Sequence, residues 1–374
     1  MKKKVILTLL VFACCLFAAV ALNYGFATGF MRDYPEAEYL TYEEAAVRPV
    51  YYELSTKEQA LYTALYRGIN EEKESIPLPF EVKGDEYSKV FRILEKQEGE
   101  FFYLDSVYYT AKKVHEAKMA YKSELDMELR RGELSNAVKK AVKGGSDIRG
   151  NYYIATYISN YIINHCSYVL GDDDSYASTA YGCLVEGEAN CEGYSKAFNL
   201  LAAEMGLESQ LVTGTTDKGE NHAWNQVKIG TEWFNLDVTW EDTDVAGEIR
   251  SEYFLRPDKA FSRTHIADEE LFEPQKCTSD NWNTFKASGH HAENLEKALS
   301  IVRDALSSGN DTVDIEFGDR DTYTQFKYVI TTEERVAELF DEAGVSVDGD
   351  VVIRLRENPD ELCVTVIIDK QQLN

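Results

Sequence analysis

Glu188-Ala-Asn-Cys191-Glu-Gly-Tyr-Ser195 is the stretch on which the fold turns. Its cysteine opens a run in which Tyr194, Ala197, Phe198, Leu201 and Met205 recur at helical spacing, and Gly206 supplies a C-terminal cap. The pattern predicts a helix that begins at Cys191. A thiol reacts as its thiolate, and the positive end of a helix dipole beside an imidazole favours that form below the free-thiol pKa of about 8.5. Cys191 is therefore read as a nucleophile, and the imidazole it needs has to come from elsewhere in the chain.

Beyond the helix, residues 209–214 read as a strand, and residues 222–229 and 232–237 as a hairpin that turns at Gly230-Thr231. If the two-residue turn pairs Ile229 with Glu232, continuing the ladder sets His222 opposite Thr239, with Asp237 one diagonal step away on the same face. A slip of one residue would send the two side chains to opposite faces of the sheet. The same face carries Trp224, Trp233 and Asn235. With the register as stated, the chemistry is nucleophilic acyl transfer: Cys191 attacks a carboxamide, His222 moves the proton, and Asp237 fixes the imidazole tautomer. The backbone N–H of Cys191 is the natural oxyanion donor, and the sequence names no second one.

Gly182-Cys-Leu-Val-Glu-Gly-Glu-Ala-Asn-Cys191-Glu-Gly-Tyr-Ser-Lys-Ala-Phe198, then Val212-Thr-Gly214, Asn221-His222-Ala-Trp-Asn-Gln-Val227 and Asn235-Leu-Asp237-Val-Thr-Trp240, resemble the motif blocks of the transglutaminase-like superfamily, in the form found in bacterial surface proteins. The resemblance implies a papain-like thiol fold, α+β in class, with the Cys-bearing helix packed on an antiparallel sheet. It puts the nucleophile on Cys191, the histidine on His222 and the aspartate on Asp237. Val238 stands where many members have proline, a conservative departure. The specific match spans about Tyr181 to Asp242, with a weaker echo upstream over 153–164 and downstream from Tyr253-Phe-Leu255 to His265. Members of the superfamily include crosslinking transamidases, peptidases, amidases and inactive relatives, so the resemblance bears on chemistry more than on substrate.

Taken singly, each residue has a simpler explanation. A cysteine at a helix start is usually a small buried hydrophobe, and a strand histidine is usually hydrogen-bonded in a core. Trp224, Trp233 and Trp240 fit a half-buried sheet better than a substrate platform. His265 is read as structural or helix-capping and stands outside the catalytic set. The chain has no C-x-x-C and no H-E-x-x-H, and His290-His291 lacks partners at ligand spacing. Residues 214–219 lack the lysine-serine ending of a phosphate loop. No metal and no cofactor is expected.

Lys2-Lys3-Lys4 precedes an apolar run from Val5 to Leu22 in which only Thr8 is polar, the pattern of an export segment over residues 1–30. Ala19-Val-Ala21 offers small residues for cleavage. The run also reaches the lower limit of the roughly 17–25 residues that span a bilayer, so signal peptide and uncleaved anchor both stand. Phe12 sits where a lipoprotein motif at Cys14 or Cys15 wants a small residue. The globular part is expected outside the cytoplasm, secreted or surface-anchored. With 39 basic against 65 acidic residues, the net charge of −26 repels nucleic acid, which is excluded as a partner. A protein or cell-wall peptide is the expected substrate. Cys166, Cys183, Cys191, Cys277 and Cys363 remain after the export segment, an odd number that fits one free thiol with the other four bridged or simply buried.

Residues 31–50, acidic and tyrosine-rich, read as a tether. Residues 51–145 read as a mainly helical N-terminal region, with a capping box at Ser55–Glu58, a helix carrying Tyr87, Val90, Phe91 and Leu94, and an aromatic strand-like run over 101–109. The catalytic domain is placed at 146–275. A small α/β domain follows at 290–374, its default role binding or structural. Three functions stand: a thiol peptidase or amidase, a transamidase in which a lysine amine resolves the acyl-enzyme, and a non-catalytic surface module.

Overall fold

The computed structural model describes residues 18–20, 33–105, 111–122, 126–171, 176–243, 251–345 and 351–370. The export segment assigned to residues 1–30 lies outside these apart from 18–20. Among the described residues no helix is long and apolar enough to cross a membrane.

A four-stranded antiparallel sheet holds the centre, in the order His265–Ala267, Ser209–Thr216, Asn221–Ile229, Glu232–Leu236. The helix Cys191–Glu204 lies against one face. There Tyr194, Phe198 and Leu201 share a core with Val227, Phe234 and Leu236, and Asn225 Nδ2 donates to the Ser195 carbonyl at 3.1 Å. The opposite face carries a separate small cluster of Val212, Trp224, Tyr253 and Phe261. Alternation along Asn221–Ile229 therefore serves two cores, which is why nearly every residue of this strand is buried.

The hairpin turns as expected, with Ile229 opposite Glu232 and the ladder running to Asn225 opposite Leu236. It stops there. Asp237 is not a strand residue but the N-cap of the short helix Val238–Glu241, where its Oδ1 accepts from the N–H groups of Thr239 (2.9 Å) and Trp240 (3.2 Å). The expected pairing of His222 with Thr239 is thus replaced, because a helix start offers the aspartate two free amides that a strand would not. At Leu211, on the other side of the sheet, a side chain stands in for a strand. Gln97 donates to the Leu211 carbonyl (2.8 Å) and accepts from its N–H (3.0 Å).

The N-terminal region is less helical than its composition suggests. The helices Thr56–Asn70, opened by the Ser55–Glu58 capping box, and Gly84–Gln97 are as expected. However, Ser75–Lys83 and Lys113–Lys118 form an antiparallel pair that buries Ile76, Leu78, Val82, Val114 and Ala117. Pro77 and Pro79 hide the first of these strands from a sequence reading, since proline is confined to edges and irregular ladders. The tether expected at 31–50 is corrected from Leu40 onward. Tyr42–Ala46 and Pro49–Glu53 are helices, Thr41 and Glu44 form a capping box, and Leu40, Ala45 and Val50 are buried in the main core. The aromatic run begins with a 3-10 turn, Gly99–Phe101, and a two-residue strand, Leu104–Asp105, while residues 106–110 lie outside the described part.

A second sheet, His291–Ala292, Thr312–Phe317, Cys363–Lys370, Val351–Asn358 in spatial order, packs with the helices Leu295–Ser307, Arg320–Ile330 and Glu333–Ala343 around its own core. It is joined to the first by a buried ion pair. Arg256, 1% exposed, meets Glu316, which also accepts from Asn283 Nδ2 (3.0 Å) and lies 2.7 Å from His291 Nδ1. Burial alone would raise the Glu316 pKa, but these three partners hold it down at about 2. Asn358 adds bonds to Glu252 (2.8 Å) and Tyr253 (2.9 Å). All five cysteines in the described residues are free. Glu316→Gln should leave the Arg256 charge buried and unmatched, lowering unfolding free energy by about 3–5 kcal/mol in urea titrations, and Arg256→Met added to it should recover part of the loss.

Candidate active site

Cys191 is the first residue of its helix because Asn190 caps it, its Oδ1 accepting from the N–H groups of Glu192 (3.0 Å) and Gly193 (3.2 Å). The cap leaves the Cys191 N–H out. Gly193 is required by a close approach: a Cβ there would run into the Ala177 carbonyl oxygen, where the preceding loop crosses the first helical turn. Glu192 is held by Lys96 (2.6 Å) and Lys196 (2.9 Å), and Lys196 also binds Glu95 (2.8 Å), so a four-charge cluster ties this turn to the helix Gly84–Gln97. These contacts outweigh the burial of Glu192 and bring its carboxyl to about 2.

His222 sits at the start of its strand opposite Gly214, and its Nε2 is 2.7 Å from Asp237 Oδ2. That leaves Nδ1 free of Asp237, on a ring whose electrostatics Cys191 influences. Cys191 is half-buried, His222 8% exposed and Asp237 fully buried. Of the three side chains singled out in the sequence, the structure joins His222 and Asp237 directly. Burial opposes a charge on His222, but the Asp237 carboxylate, by charge and by hydrogen bond, and Cys191 overcome it and raise the pKa to about 10. Burial would likewise raise Asp237, yet His222 and His265 hold it well below the usual carboxylate range.

His265, set aside in the sequence reading, is the member that reading missed. Its Nε2 is 3.1 Å from the same Asp237 Oδ2, and its ring stacks on Phe261 at 3.8 Å between centroids. The only signal was the echo at Tyr253-Phe-Leu255 to His265, with no spacing rule to tie it to Asp237. Burial lowers the His265 pKa in spite of Asp237. One carboxylate therefore serves two imidazoles pushed in opposite directions. Trp224 is buried against His265, and Trp240 lies beside both histidine rings, which makes them walls of the site.

His222, Asp237 and His265 also place one potential ligand atom each within 4.8 Å of one another. Their contacts are accounted for by two N–H donors meeting one acceptor, and a cation there would have to displace both protons. An open cleft of about 590 Å³ reaches His222 and Trp240, with Tyr168, Asp217 and Glu220 on one side and Glu357, Asn358 and Asp360 of the C-terminal sheet on the other.

Residues 138–238 match the family model of the transglutaminase-like superfamily, so a domain of that superfamily is present and takes in Cys191, His222 and Asp237. No curated protein matches the chain. Among solved structures, similarity is found to a protein from Cytophaga hutchinsonii named as a candidate cysteine protease (19% identity, TM-score 0.27, 36% of this chain and 41% of that one). It is also found to a protein named as a TGase (14%, 0.27, 36% and 43%). A third is the periplasmic domain of TgpA from Pseudomonas aeruginosa (14%, 0.24, 36% and 56%). The chain spans less than two thirds of the length of each.

Because the His222 pKa is raised from 6.5 to about 10, the stability it contributes is complete below about pH 6.5 and is lost as pH rises through 10. The thermal midpoint should therefore fall across that window in the wild-type protein, and His222→Gln should flatten this part of the profile. Gly193→Ala should lower stability by about 1–3 kcal/mol through overpacking, read from the denaturation midpoint.

Proposed function

We propose that this chain is a thiol enzyme acting on amide bonds, a peptidase or amidase that works through an acyl-enzyme. The observation that supports the reading is an imidazole, held through Nε2 by a buried carboxylate, whose electrostatics the helix-terminal Cys191 influences. Cys191 Sγ attacks the carbonyl carbon with its proton resting on His222 Nδ1. The carbonyl oxygen, now negative, is met by the Cys191 N–H that the Asn190 cap leaves out. On collapse the amine leaves with the proton from His222, and a thioester remains. Water, deprotonated by the same ring, then releases the acid and restores the thiol. Asp237 keeps the ring turned and carries the balancing charge throughout.

Hydrolysis is supported by the open cleft at His222, which gives water access to the base. The second reading, transamidation to a lysine amine, is supported by the acidic side chains Asp217, Glu220, Glu357 and Asp360 along the cleft, which would draw a cationic acceptor toward His222. The charged start and apolar run at residues 2–22 support an exported protein whose substrate is a protein or cell-wall peptide.

Cys191→Ala should abolish turnover, by a factor on the order of 10⁴ or more, with little change in thermal midpoint. A thiol-directed acyl probe should label Cys191, as located by peptide mass. Ammonia release without incorporation of an added primary amine supports the hydrolase, amine incorporation supports the transamidase, and full turnover in the alanine variant overturns both.

A further inference from the structure

Behind Asp237 lies a buried polar chain that the proposed chemistry does not use. His265 Nδ1 is 2.9 Å from Thr264 Oγ1, and Thr264 Oγ1 is 3.0 Å from Glu361 Oε1. Glu361 belongs to the C-terminal sheet, in the turn between Val351–Asn358 and Cys363–Lys370, where Asn358 Oδ1 accepts from its N–H at 3.2 Å. The residue is 0% exposed, and its Oε2 is buried with no hydrogen-bond partner. A carboxyl sunk in this way next to a histidine–aspartate pair has a cost that packing alone does not explain.

Counting protons fixes the direction of every bond. Asp237 is ionised and can only accept, so His265 Nε2 carries the hydrogen between them. A neutral ring has one N–H, which leaves Nδ1 bare, and the hydroxyl of Thr264 must donate to it. That hydroxyl has a single hydrogen. The Thr264–Glu361 contact then needs its proton on Glu361. Burial pushes the Glu361 carboxyl up to about 7, against the opposing Arg256 charge, the Thr264 hydrogen bond and the Arg263 charge, with Glu252 adding to the rise.

We propose that Glu361, Thr264 and His265 form a one-way hydrogen-bond chain that runs from the C-terminal unit to Asp237, making His265 and Glu361 positioning residues that hold the carboxylate on His222. The inference rests on Asp237 being the group that orients the base. Asp237 Oδ1 is already fixed by two backbone amides, and His222 alone would leave Oδ2 free to swing out of line with the ring. The second N–H removes that freedom. The C-terminal unit thus completes the site from behind while its turn, through Glu357, Asn358 and Asp360, walls the cleft in front.

The test uses full-length protein and the near-isosteric pair Thr264→Val and Thr264→Ser, with Glu361→Gln and Glu361→Leu. Two readouts are taken: the tautomers of His222 and His265 from ring ¹⁵N shifts, and the rate at which iodoacetamide alkylates Cys191. Thr264→Val and Glu361→Leu should shift the His265 Nδ1 ¹⁵N resonance, as the hydrogen bond it accepts is lost or weakened, and slow alkylation about tenfold, short of the ~100-fold that a full ångström of misplacement costs. Thr264→Ser, and Glu361→Gln, whose amide N–H can still donate to the hydroxyl, should stay within about twofold of wild type. A folded Thr264→Val protein with the wild-type His265 Nδ1 shift and alkylation rate overturns the chain. If Cys191 is not the thiol that reacts in the wild-type protein, the enzyme reading fails instead, and the ¹⁵N shifts of the same variants still decide whether the chain exists.

Discussion

The carboxylate of Asp237 is the point on which the site depends. It accepts four hydrogen bonds, two from the amides that begin the Val238–Glu241 helix and two from imidazoles, and it is fully buried. An ionised group with no contact to water survives there only because every lone-pair direction is met. The surrounding architecture can be understood as the means of delivering those four donors. The hairpin brings His222, the helix start brings the amides, and the short edge strand brings His265. None of the three is close to the others in any single element, so the carboxylate also acts as a fastening among them.

Much of this was readable because it rests on local rules. The two-residue turn at Gly230-Thr231 set the hairpin register, the apolar spacing after Cys191 gave the helix, and Ser55 with Glu58 announced another helix start. Where the reading failed, the cause was a competing demand. Asp237 left its strand because free amides one turn ahead were better partners than a ladder position. His265 looked structural because its partner is determined by tertiary packing across 28 residues, which no spacing rule encodes. Pro77 and Pro79 masked a strand, and the acidic, tyrosine-rich stretch from Leu40 hid two packed helices, since composition reports the exposed face as loudly as the buried one.

The relation between the two sheets could not be read from sequence at all. Arg256 and Glu316 lie 60 residues apart, and each would ordinarily be assigned to a solvated surface. Their burial, with His291 and Asn283 completing the set, makes the junction specific more than strong, since paired charges repay their desolvation only when the geometry is satisfied. A junction of this kind fixes orientation, and orientation is what the contacts of Asn358 with Glu252 and Tyr253, and of Glu361 with Thr264, require.

The amide of Gln97 has a consequence for how a peptide can approach. By answering both the N–H and the carbonyl of Leu211, it closes the flank of the strand Ser209–Thr216 beyond the reach of its short neighbour His265–Ala267. An added strand therefore finds no open backbone at Leu211 on which to zip, and the same plug disfavours edge-to-edge association there. Any contact with a partner on this flank is left to side chains instead of extended main-chain pairing.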